Sequence, residues 1–325
     1  MAAEQRTLRL GTRGSALALW QADEVSRRLL HEWPDLRLER IVIRTLGDRN
    51  QVARPADLGE IGLFTRELEQ ALLRGEVDIA VHSLKDLPTA ASGGLDVVAL
   101  LEREDPRDAL IGPGGLTLAT LPAGARVGTS SLRRRAQVLH RRPDVKVVDL
   151  RGNVPTRLDK LDRGDYDALV MALAGLKRLR LADRVTQVFE PDDLLSAPGQ
   201  GAVAVQVRSD DDGAKSACRR LDHLPTRVTT AAERTVLATL EAGCHAPVGA
   251  LAHWDGAVMD LQALVARADG GAIERRKDRR PVVSEDEGRA FGAAVAGELL
   301  SSGVARLLVR RPSAGEAGPG AAGRE

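Results

Sequence analysis

Aromatic residues and cysteines are scarce in this chain of 325 residues. Phe, Trp and Tyr together make up 2% of the sequence, so the core must be built from Leu, Val, Ile and Ala. The two cysteines, Cys218 and Cys244, are too few for a disulfide framework, and neither lies in a metal-binding spacing. The six histidines are scattered and form no HExxH pattern, so we expect no metal site.

Long apolar runs are also missing. No stretch approaches the roughly 18–20 apolar residues that a membrane-spanning helix needs, so no membrane partner is expected. The first residues, MAAEQRTLRLG, lack the basic head and apolar stretch of a secretory signal. We therefore expect a cytoplasmic protein.

Neither sign of charge dominates the whole chain, whose formal net charge is +1. Residues 126–180 nevertheless contain 11 Arg and 3 Lys against 6 Asp, so the basic charge is local. Nucleic-acid sites usually interleave basic residues with aromatic ones, and this window has only Tyr166. The composition favours a small polyanionic ligand and argues against a nucleic-acid partner.

Strand and helix patterns alternate along most of the chain, which predicts an α/β fold. We expect two α/β lobes joined by two crossings, followed by a smaller α+β domain. The predicted boundaries are 1–101 with 201–220 for the first lobe, 107–195 for the second, 224–311 for the third domain and 312–325 for a disordered tail. The segment at 45–60 has no periodicity and is expected to be a mobile loop.

The predicted helix of the second lobe begins with Arg133, Arg134 and Arg135. The helix dipole disfavours cations at this end, so an anion is expected to lie there. For Arg135, and for Arg141, Arg142 and Arg163, the sequence favours a solvated face paired with nearby aspartates. The guanidinium fork suits carboxylates, so the remaining arginines are expected to converge on a ligand.

Three short motifs carry residues that can do chemistry. HSLKDLP follows the buried strand VDIAV and places Lys85 and Asp86 at its carboxyl end, where a carboxylate can hold an N–H group and manage protons. GTRGS places Arg13 and Ser15 before a helix but lacks the ending of a P-loop. AGCHAPVG places Cys244 in a Gly/Pro loop, while Cys218 is expected to be a structural residue inside a helix. A surface Lys–Asp turn and a buried thiol are the alternatives for the first and third motifs.

Seven segments in order resemble the porphobilinogen deaminase (hydroxymethylbilane synthase) family, from about Leu8 to about Leu308. They are TRGSALALWQA, GLFTRELEQALLRGEVDIAVHSLKDLPT, EREDPRDALI, GTSSLRRRAQ, LRGNVPTRLDKLDRGDYDALVMALAGLKRL, APGQGAVAVQVR and LEAGCHAPVGA. Each segment is weak evidence alone, whereas the ordered set is specific.

The resemblance implies a monomer with two lobes like those of periplasmic binding proteins. It also implies an enzyme that joins four porphobilinogen molecules head to tail, with release of ammonia, into hydroxymethylbilane. The chain would grow on one dipyrromethane cofactor, held by a thioether to the cysteine that corresponds to Cys244.

The same resemblance implies a role for each matching residue. Asp86 corresponds to the catalytic aspartate. The residues expected to bind the cofactor are Cys244, Lys85, Ser131, Arg133, Arg134 and Arg157. The residues expected to bind substrate are Arg13, Ser15, Phe64, Arg151 and Arg178.

The sequence departs from the family pattern at one position that matters. Many members read GGKGLF where this chain reads GEIGLF, so Ile61 occupies the position of a lysine. Two other readings of the chain remain open at this stage: a non-enzymatic two-lobed protein that binds small anions, and a nucleic-acid-binding module.

Overall fold

The computed structural model describes residues 7–43, 65–90, 92–243 and 246–308. The strands in chain order are β1 (Thr7–Thr12), β2 (Arg37–Val42), β3 (Ile79–Ser83), β4 (Leu95–Leu100), β5 (Asp108–Ile111), β6 (Arg126–Gly128), β7 (Lys146–Val148), β8 (Ala168–Ala172), β9 (Gln187–Val188), β10 (Val203–Arg208), β11 (Val248–Trp254), β12 (Val258–Ala266) and β13 (Ile273–Pro281). The α-helices are α1 (Ala16–Glu32), α2 (Arg66–Leu73), α3 (Leu132–Arg141), α4 (Val154–Asp162), α5 (Leu173–Arg178), α6 (Asp212–Arg219), α7 (Leu224–Thr239), α8 (Glu285–Ser301) and α9 (Ala305–Leu308). The predicted loop at 45–60, Ile61, Phe64, Cys244 and the predicted tail lie outside the described residues.

Two five-stranded sheets share one arrangement. The first has the order β2-β1-β3-β10-β4, and the second has the order β7-β6-β8-β5-β9. In each sheet the first three strands of this order run parallel. The fourth strand is antiparallel to the third, and the fifth is antiparallel to the fourth. We call the first sheet with α1, α2 and α6 the first lobe, and the second sheet with α3, α4 and α5 the second lobe.

The chain passes between the two lobes twice. It leaves the first lobe after β4 and enters the second at β5, and it returns from β9 to β10. Because β5 and β10 each lie inside their sheet, both crossings are anchored by strand pairing at the lobe they enter. Residues 101–107 and 189–202 therefore form the connections between the lobes.

The parallel strands end where helices begin, and polar side chains cap those helices. The Ser15 hydroxyl accepts a hydrogen bond from the Ala18 amide at the start of α1, and the Ser131 hydroxyl does the same for Arg134 at the start of α3. Asn153 caps α4. The carboxyl ends of the strands and the helix N-termini thus meet at the same edge of each sheet, where ligands of open α/β folds bind.

The third domain is a three-stranded antiparallel sheet, β11-β12-β13, with α7 and α8 packed against it. Its core contains Val228, Val236, Leu261 and Phe291, all fully or almost fully buried. The fold class predicted from the sequence is therefore confirmed: two α/β lobes, two crossings and a smaller α+β domain.

Some elements differ from the sequence prediction. The strand β13 reads IERRKDRRP, and the sequence analysis did not identify it because charged residues hide its alternation. The strand lies at the edge of its sheet, where charged side chains are common because they discourage pairing with other chains.

Candidate active site

Lys85 and Asp86 lie in a single turn of 3-10 helix, Leu84–Asp86, directly after β3. The turn is held in place because the Leu84 and Leu87 side chains are buried against Ala202 and Ala204. The Leu84 amide also donates to the Ala202 carbonyl at 3.0 Å. The sequence predicted an irregular loop, and this anchored turn instead presents the two charged side chains in a defined position.

Lys85 lies in a cationic environment. In the described part of the chain its ammonium makes one hydrogen bond, to Gln200 Oε1 at 3.2 Å. Burial, followed by the nearby Arg134, lowers the pKa of Lys85 to about 8, while Asp86 and Asp108 act in the opposite direction. The site thus holds positive charge at close quarters and would gain from a bound anion.

The arginines at the start of α3 already have an anion. Asp108, at the start of β5, forms ion pairs with Arg133 and Arg134. Its carboxylate oxygens lie 2.7 Å from Arg133 Nη1 and 2.7 Å from Arg134 Nη2. Burial tends to raise the pKa of Asp108, but Arg133 and Arg134 outweigh it and hold that pKa well below its usual range. The sequence predicted an anion beside these arginines, and Asp108 supplies one from within the protein. That a ligand carboxylate binds them as well stays a prediction.

Arg133 is mostly engaged inside the protein. Besides Asp108, its Nη1 donates to the Leu195 carbonyl at 2.5 Å, while its buried Nε has no hydrogen-bond partner in the part of the chain that the structure describes. Arg134 bonds Asp108 through Nε and Nη2, and its Nη2 also lies 3.3 Å from Gln200 Oε1. Gln200 therefore connects Arg134 to Lys85.

Arg157 projects from α4 toward the same place. Its Nε donates to the Gly152 carbonyl at 2.7 Å, and it forms no ion pair with a described carboxylate. Burial, followed by Arg134, lowers the pKa of Arg157 to about 10, and Asp86 partly offsets this. Lys85, Asp86, Arg134 and Arg157 thus act on one another electrostatically. With Arg133 and Asp108 they form a cluster in which two aspartates do not balance four cations.

Arg178 lies apart from this cluster. Its guanidinium stacks on Trp20 at 5.2 Å from the ring centroid and donates to the Gly201 carbonyl at 2.6 Å. Its Nε is buried without a hydrogen-bond partner, and burial lowers its pKa to about 10. The charged groups that act on it are Glu104, Glu24 and Arg28. It lies beside the second crossing.

Arg13 lies closer to Asp86. Both line a small cavity of about 80 Å³, together with Gln21, His82 and Ser83. Ser15 and Ser131 act as helix caps in the structure, as described above. Arg151 is partly buried, and its carbonyl accepts a hydrogen bond from Lys160 at 3.1 Å.

Cys244 and Phe64 cannot be placed, since both lie outside the described residues. The described residues that flank positions 244–245 are Gly243 and Ala246, which are joined by a backbone hydrogen bond of 2.9 Å. Ala246 packs against the third-domain core. Cys218 is fully buried, and burial raises the pKa of its thiol to about 12. The prediction that Cys218 is structural agrees with this environment.

The basic residues assigned to a solvated face have local partners. Arg141 pairs with Asp193, Arg142 with Asp144, and Arg163 with Asp165. Arg135 instead donates to the Val147 carbonyl. Arg142 does more than expected, because it also bonds the carbonyls of residues 118, 119 and 121 and so holds a loop in place.

A larger cavity of about 560 Å³ lies away from Asp86, between the end of α3 and β13. Its charged side chains serve the protein itself, since Arg141 bonds the carbonyls of Asp192 and Asp193, and Arg275 bonds the Pro191 carbonyl. Within residues 7–43, 65–90, 92–243 and 246–308, no group of three or more His, Cys, Asp or Glu could hold a metal ion. No helix in the same ranges is long and apolar enough to cross a membrane.

The sequence analysis missed Asp108 and Gln200 as functional residues. Both lie in segments that carry the family resemblance, EREDPRDALI and APGQGAVAVQVR. Neither an aspartate nor a glutamine in these segments indicates by itself that it contacts the arginines. Gln200 reaches Asp108 Oδ1 at 2.8 Å and the Pro106 carbonyl at 2.7 Å, so it links the two crossings. Only the fold, which brings the crossings side by side, reveals this.

Two α/β lobes, a cluster of buried cations beside Asp86 and a separate α+β domain together define a class of two-lobed proteins that bind anionic ligands. Comparison with known proteins identifies the family within this class. The family domain described as "Porphobilinogen deaminase, dipyromethane cofactor binding domain" matches residues 8–216, and "Porphobilinogen deaminase, C-terminal domain" matches residues 228–301. The chain belongs to the porphobilinogen deaminase family, and its first two lobes form the dipyrromethane cofactor binding domain.

Curated relatives cover nearly the whole chain. The porphobilinogen deaminase of Chloroherpeton thalassium is 43% identical over 94% of this chain and 97% of its own. That of Desulforudis audaxviator is 48% identical over 94% of this chain and 98% of its own. Among solved structures, the methionine-binding protein MetQ matches with a TM-score of 0.43 and 13% identity, over 66% of this chain and 89% of that chain.

Proposed function

We propose that this protein is a transferase that joins four porphobilinogen molecules head to tail, releases four ammonia molecules and yields the linear tetrapyrrole hydroxymethylbilane. The observation that carries the proposal is the cationic cluster beside Asp86. Lys85 and Arg157 are desolvated there, and neither forms an ion pair with a carboxylate in the described part of the chain. Porphobilinogen has an acetate and a propionate on each ring, so a growing chain of pyrroles supplies the carboxylates that this cluster lacks.

The residues present fit a dipyrromethane cofactor. Two buried guanidinium nitrogens, Arg133 Nε and Arg178 Nε, have no hydrogen-bond partner among the described residues, and the cluster carries excess positive charge. We propose that Cys244 holds the cofactor by a thioether and that its carboxylates bind Lys85, Ser131, Arg133, Arg134 and Arg157. When bound, the cofactor supplies the free pyrrole carbon on which the chain grows.

The substrate is proposed to bind between the lobes beside this cluster. Arg13 shares a cavity with Asp86 and can hold a substrate carboxylate next to the reacting carbon. Ser15, Phe64, Arg151 and Arg178 complete the proposed substrate site. Holding the substrate against the end of the chain supplies proximity, which is a large part of catalysis in a bond-forming step between two bound molecules.

Asp86 is proposed as the catalytic residue. Loss of ammonia leaves positive charge on the methylene-pyrrole, and an ionised carboxylate beside the ring N–H stabilises that charge as it develops. The same carboxylate can accept the proton that is released when the new ring becomes aromatic again. Asp86 acts electrostatically on both Lys85 and Arg157, so the carboxylate lies beside the cations that are proposed to hold the ligand.

Domain boundaries, compartment and assembly are part of the proposal. We propose lobes at 1–101 with 201–220 and at 107–195, a cofactor-carrying domain at 224–311 and a tail at 312–325. We propose a cytoplasmic monomer without nucleic-acid or membrane partners, and the buried free thiol of Cys218 suits a reducing compartment. The alternative, a non-enzymatic anion-binding protein, is disfavoured by the relatives, which carry an enzyme's name over nearly the full chain.

The test is ammonia release. Purified protein mixed with porphobilinogen should release one ammonia for each porphobilinogen consumed and form hydroxymethylbilane, which chromatography separates from the substrate. Protein that binds porphobilinogen without consuming it would support the anion-binding alternative and reject the proposed reaction.

A further inference from the structure

His82 lies in the candidate site, and nothing described so far gives it a role. It is 4% exposed and occupies β3, four residues before Asp86, with which it lines the cavity of about 80 Å³. Its Nε2 is buried and has no hydrogen-bond partner in the described part of the chain. A buried polar atom without a partner costs free energy, so such an atom beside a reactive carboxylate calls for an explanation.

A second residue beside the ring indicates which nitrogen carries the proton. Gln206 lies opposite Ala80 in the neighbouring strand β10, so it is a diagonal neighbour of His82 on the same face of the sheet. Its Nε2 donates to Glu69 Oε1 at 3.1 Å, and its Oε1 is buried without a partner. Because Glu69 holds the amide nitrogen, the Gln206 oxygen acts on the imidazole as an acceptor, and a proton on Nε2 would serve both of these partnerless atoms.

With the proton on Nε2, Nδ1 has a free lone pair. We infer that His82 is a further residue of this site, accepting at Nδ1 a hydrogen bond from the protonated primary amine that the substrate loses. The inference rests on the proposed function, which places the pyrrole N–H beside Asp86 and leaves the primary amine as the remaining N–H donor of porphobilinogen.

The charge around the cavity explains why such an acceptor is needed. The charged groups near His82 are Arg13 and Asp86 in the cavity and Glu69 behind Gln206; Gln21, Ser83 and Thr65 are uncharged. Burial, aided by Arg13, lowers the pKa of His82 to about 4, so the ring stays neutral near pH 7. A neutral ring can accept a hydrogen bond from an ammonium group, whereas a protonated ring would repel it.

The amine must be protonated when the bond breaks. The C–N electron pair leaves with nitrogen, so a protonated amine departs as ammonia and the positive charge stays on the methylene-pyrrole. An unprotonated amine would have to leave as the far more basic amide anion. The arginines that lower the pKa of Lys85 would also disfavour the protonated form of the substrate amine in this cleft. Hydrogen bonds to His82 and Asp86 offset that effect.

The experiment compares His82→Leu, which removes the acceptor, with His82→Asn, whose side-chain oxygen can replace Nδ1. We expect His82→Leu to bind cofactor normally by intact mass and to lower kcat at least about tenfold, the effect of losing a hydrogen bond to a charged group. The alkaline limb of the kcat–pH profile should move about one unit to lower pH, because the bound amine deprotonates more easily. His82→Asn should restore much of kcat and return the alkaline limb toward its original pH. The control His31→Leu, at an exposed histidine of α1, should have the parent kcat and pH profile.

Two outcomes would overturn the inference. One is a His82→Leu protein with the parent kcat and pH limb; the other is a raised KM alone, which would mean that the cavity holds a substrate carboxylate. If His82→Leu does not fold, Gln206→Leu carries the test, and an unchanged limb there would equally reject the role. A parent protein that releases no ammonia would reject the proposed function instead, so the two failures are distinguishable.

Discussion

At the residue scale, the cleft combines one reactive carboxylate with cations that protein carboxylates only partly neutralise. Asp108 is shared by Arg133 and Arg134, and Asp86 acts on both Lys85 and Arg157. Cations that are already desolvated in the folded protein lose little further hydration when a carboxylate ligand binds. This favours binding of carboxylates at such a cluster. The cleft is therefore prepared for a polycarboxylate before any ligand arrives.

Asp86→Asn tests the chemical role of the carboxylate. The substitution keeps the shape of the side chain but removes the negative charge, so stabilisation that exists only in the transition state should be lost. We expect kcat to fall at least ~10²-fold while the cofactor is retained. Single-turnover ammonia release by the cofactor-loaded protein measures it, and release at the parent rate would make Asp86 a structural turn residue.

Arg157→Gln tests the role of the cluster in binding. A hydrogen bond from a cation to a ligand carboxylate is worth roughly 1.5–3 kcal/mol, so we expect cofactor loading or chain elongation to weaken about ten- to a hundredfold. Arg163→Gln is the matched control, because Arg163 is exposed and pairs with Asp165. Intact mass gives loading and turnover gives elongation; equal effects of the two substitutions would show that Arg157 contributes only surface charge.

The sequence predicted part of this site. Lys85, Asp86 and the arginines follow from motifs, because charged residues at strand ends and helix starts are visible in a sequence. Asp108, Gln200 and His82 do not follow, because their roles depend on contacts between residues 26 to 137 positions apart. The ion pairs of Asp108 with Arg133 and Arg134 were not predicted for this reason, and ligand binding by these two arginines stays a prediction.

At the element scale, the third domain depends on a close approach of α7 and α8. Gly292 of α8 faces the Ala232 carbonyl of α7, and a Cβ added at Gly292 would lie 2.2 Å from that oxygen. Gly288, one turn earlier, also faces the backbone of α7. Two glycines four residues apart thus let the helices pack at short range.

Gly292→Ala should therefore destabilise the protein despite the better helix propensity of alanine. We expect a loss of about 1–3 kcal/mol of unfolding free energy, the usual cost of overpacking. Gly297→Ala in the same helix is the control, because nothing lies within 4 Å of its added Cβ, and it should stabilise by up to about 1 kcal/mol. Denaturant unfolding measures both, and a neutral or stabilising Gly292→Ala would contradict the packing described here.

The elements themselves were predictable to different degrees. α8 begins and ends where its pattern predicts, since Ser284 caps it and acidic residues fill its first turn. β13 was missed because its stability comes from pairing with β12 along nine residues, a contact that the charged sequence does not reveal.

At the scale of the whole molecule, one carboxylate connects both crossings to the third domain. Glu233 of α7 is fully buried and pairs with Arg103 of the first crossing at 2.6 Å. It also accepts from the amide of Gly199 in the second crossing at 2.8 Å and from that of Ala252 in β11 at 2.9 Å. The helix α7, which precedes Cys244 in the chain, is therefore fixed to the connections between the lobes.

The intact mass of the purified protein tests the central claim most directly. The account predicts a mass that exceeds the sequence mass by two linked pyrrole units, and it predicts that Cys244→Ser removes both this excess and the activity. Cys218→Ser should keep both, because Cys218 is buried in the first lobe and its thiol pKa is raised to about 12. A protein with the bare sequence mass and full activity would contradict the account.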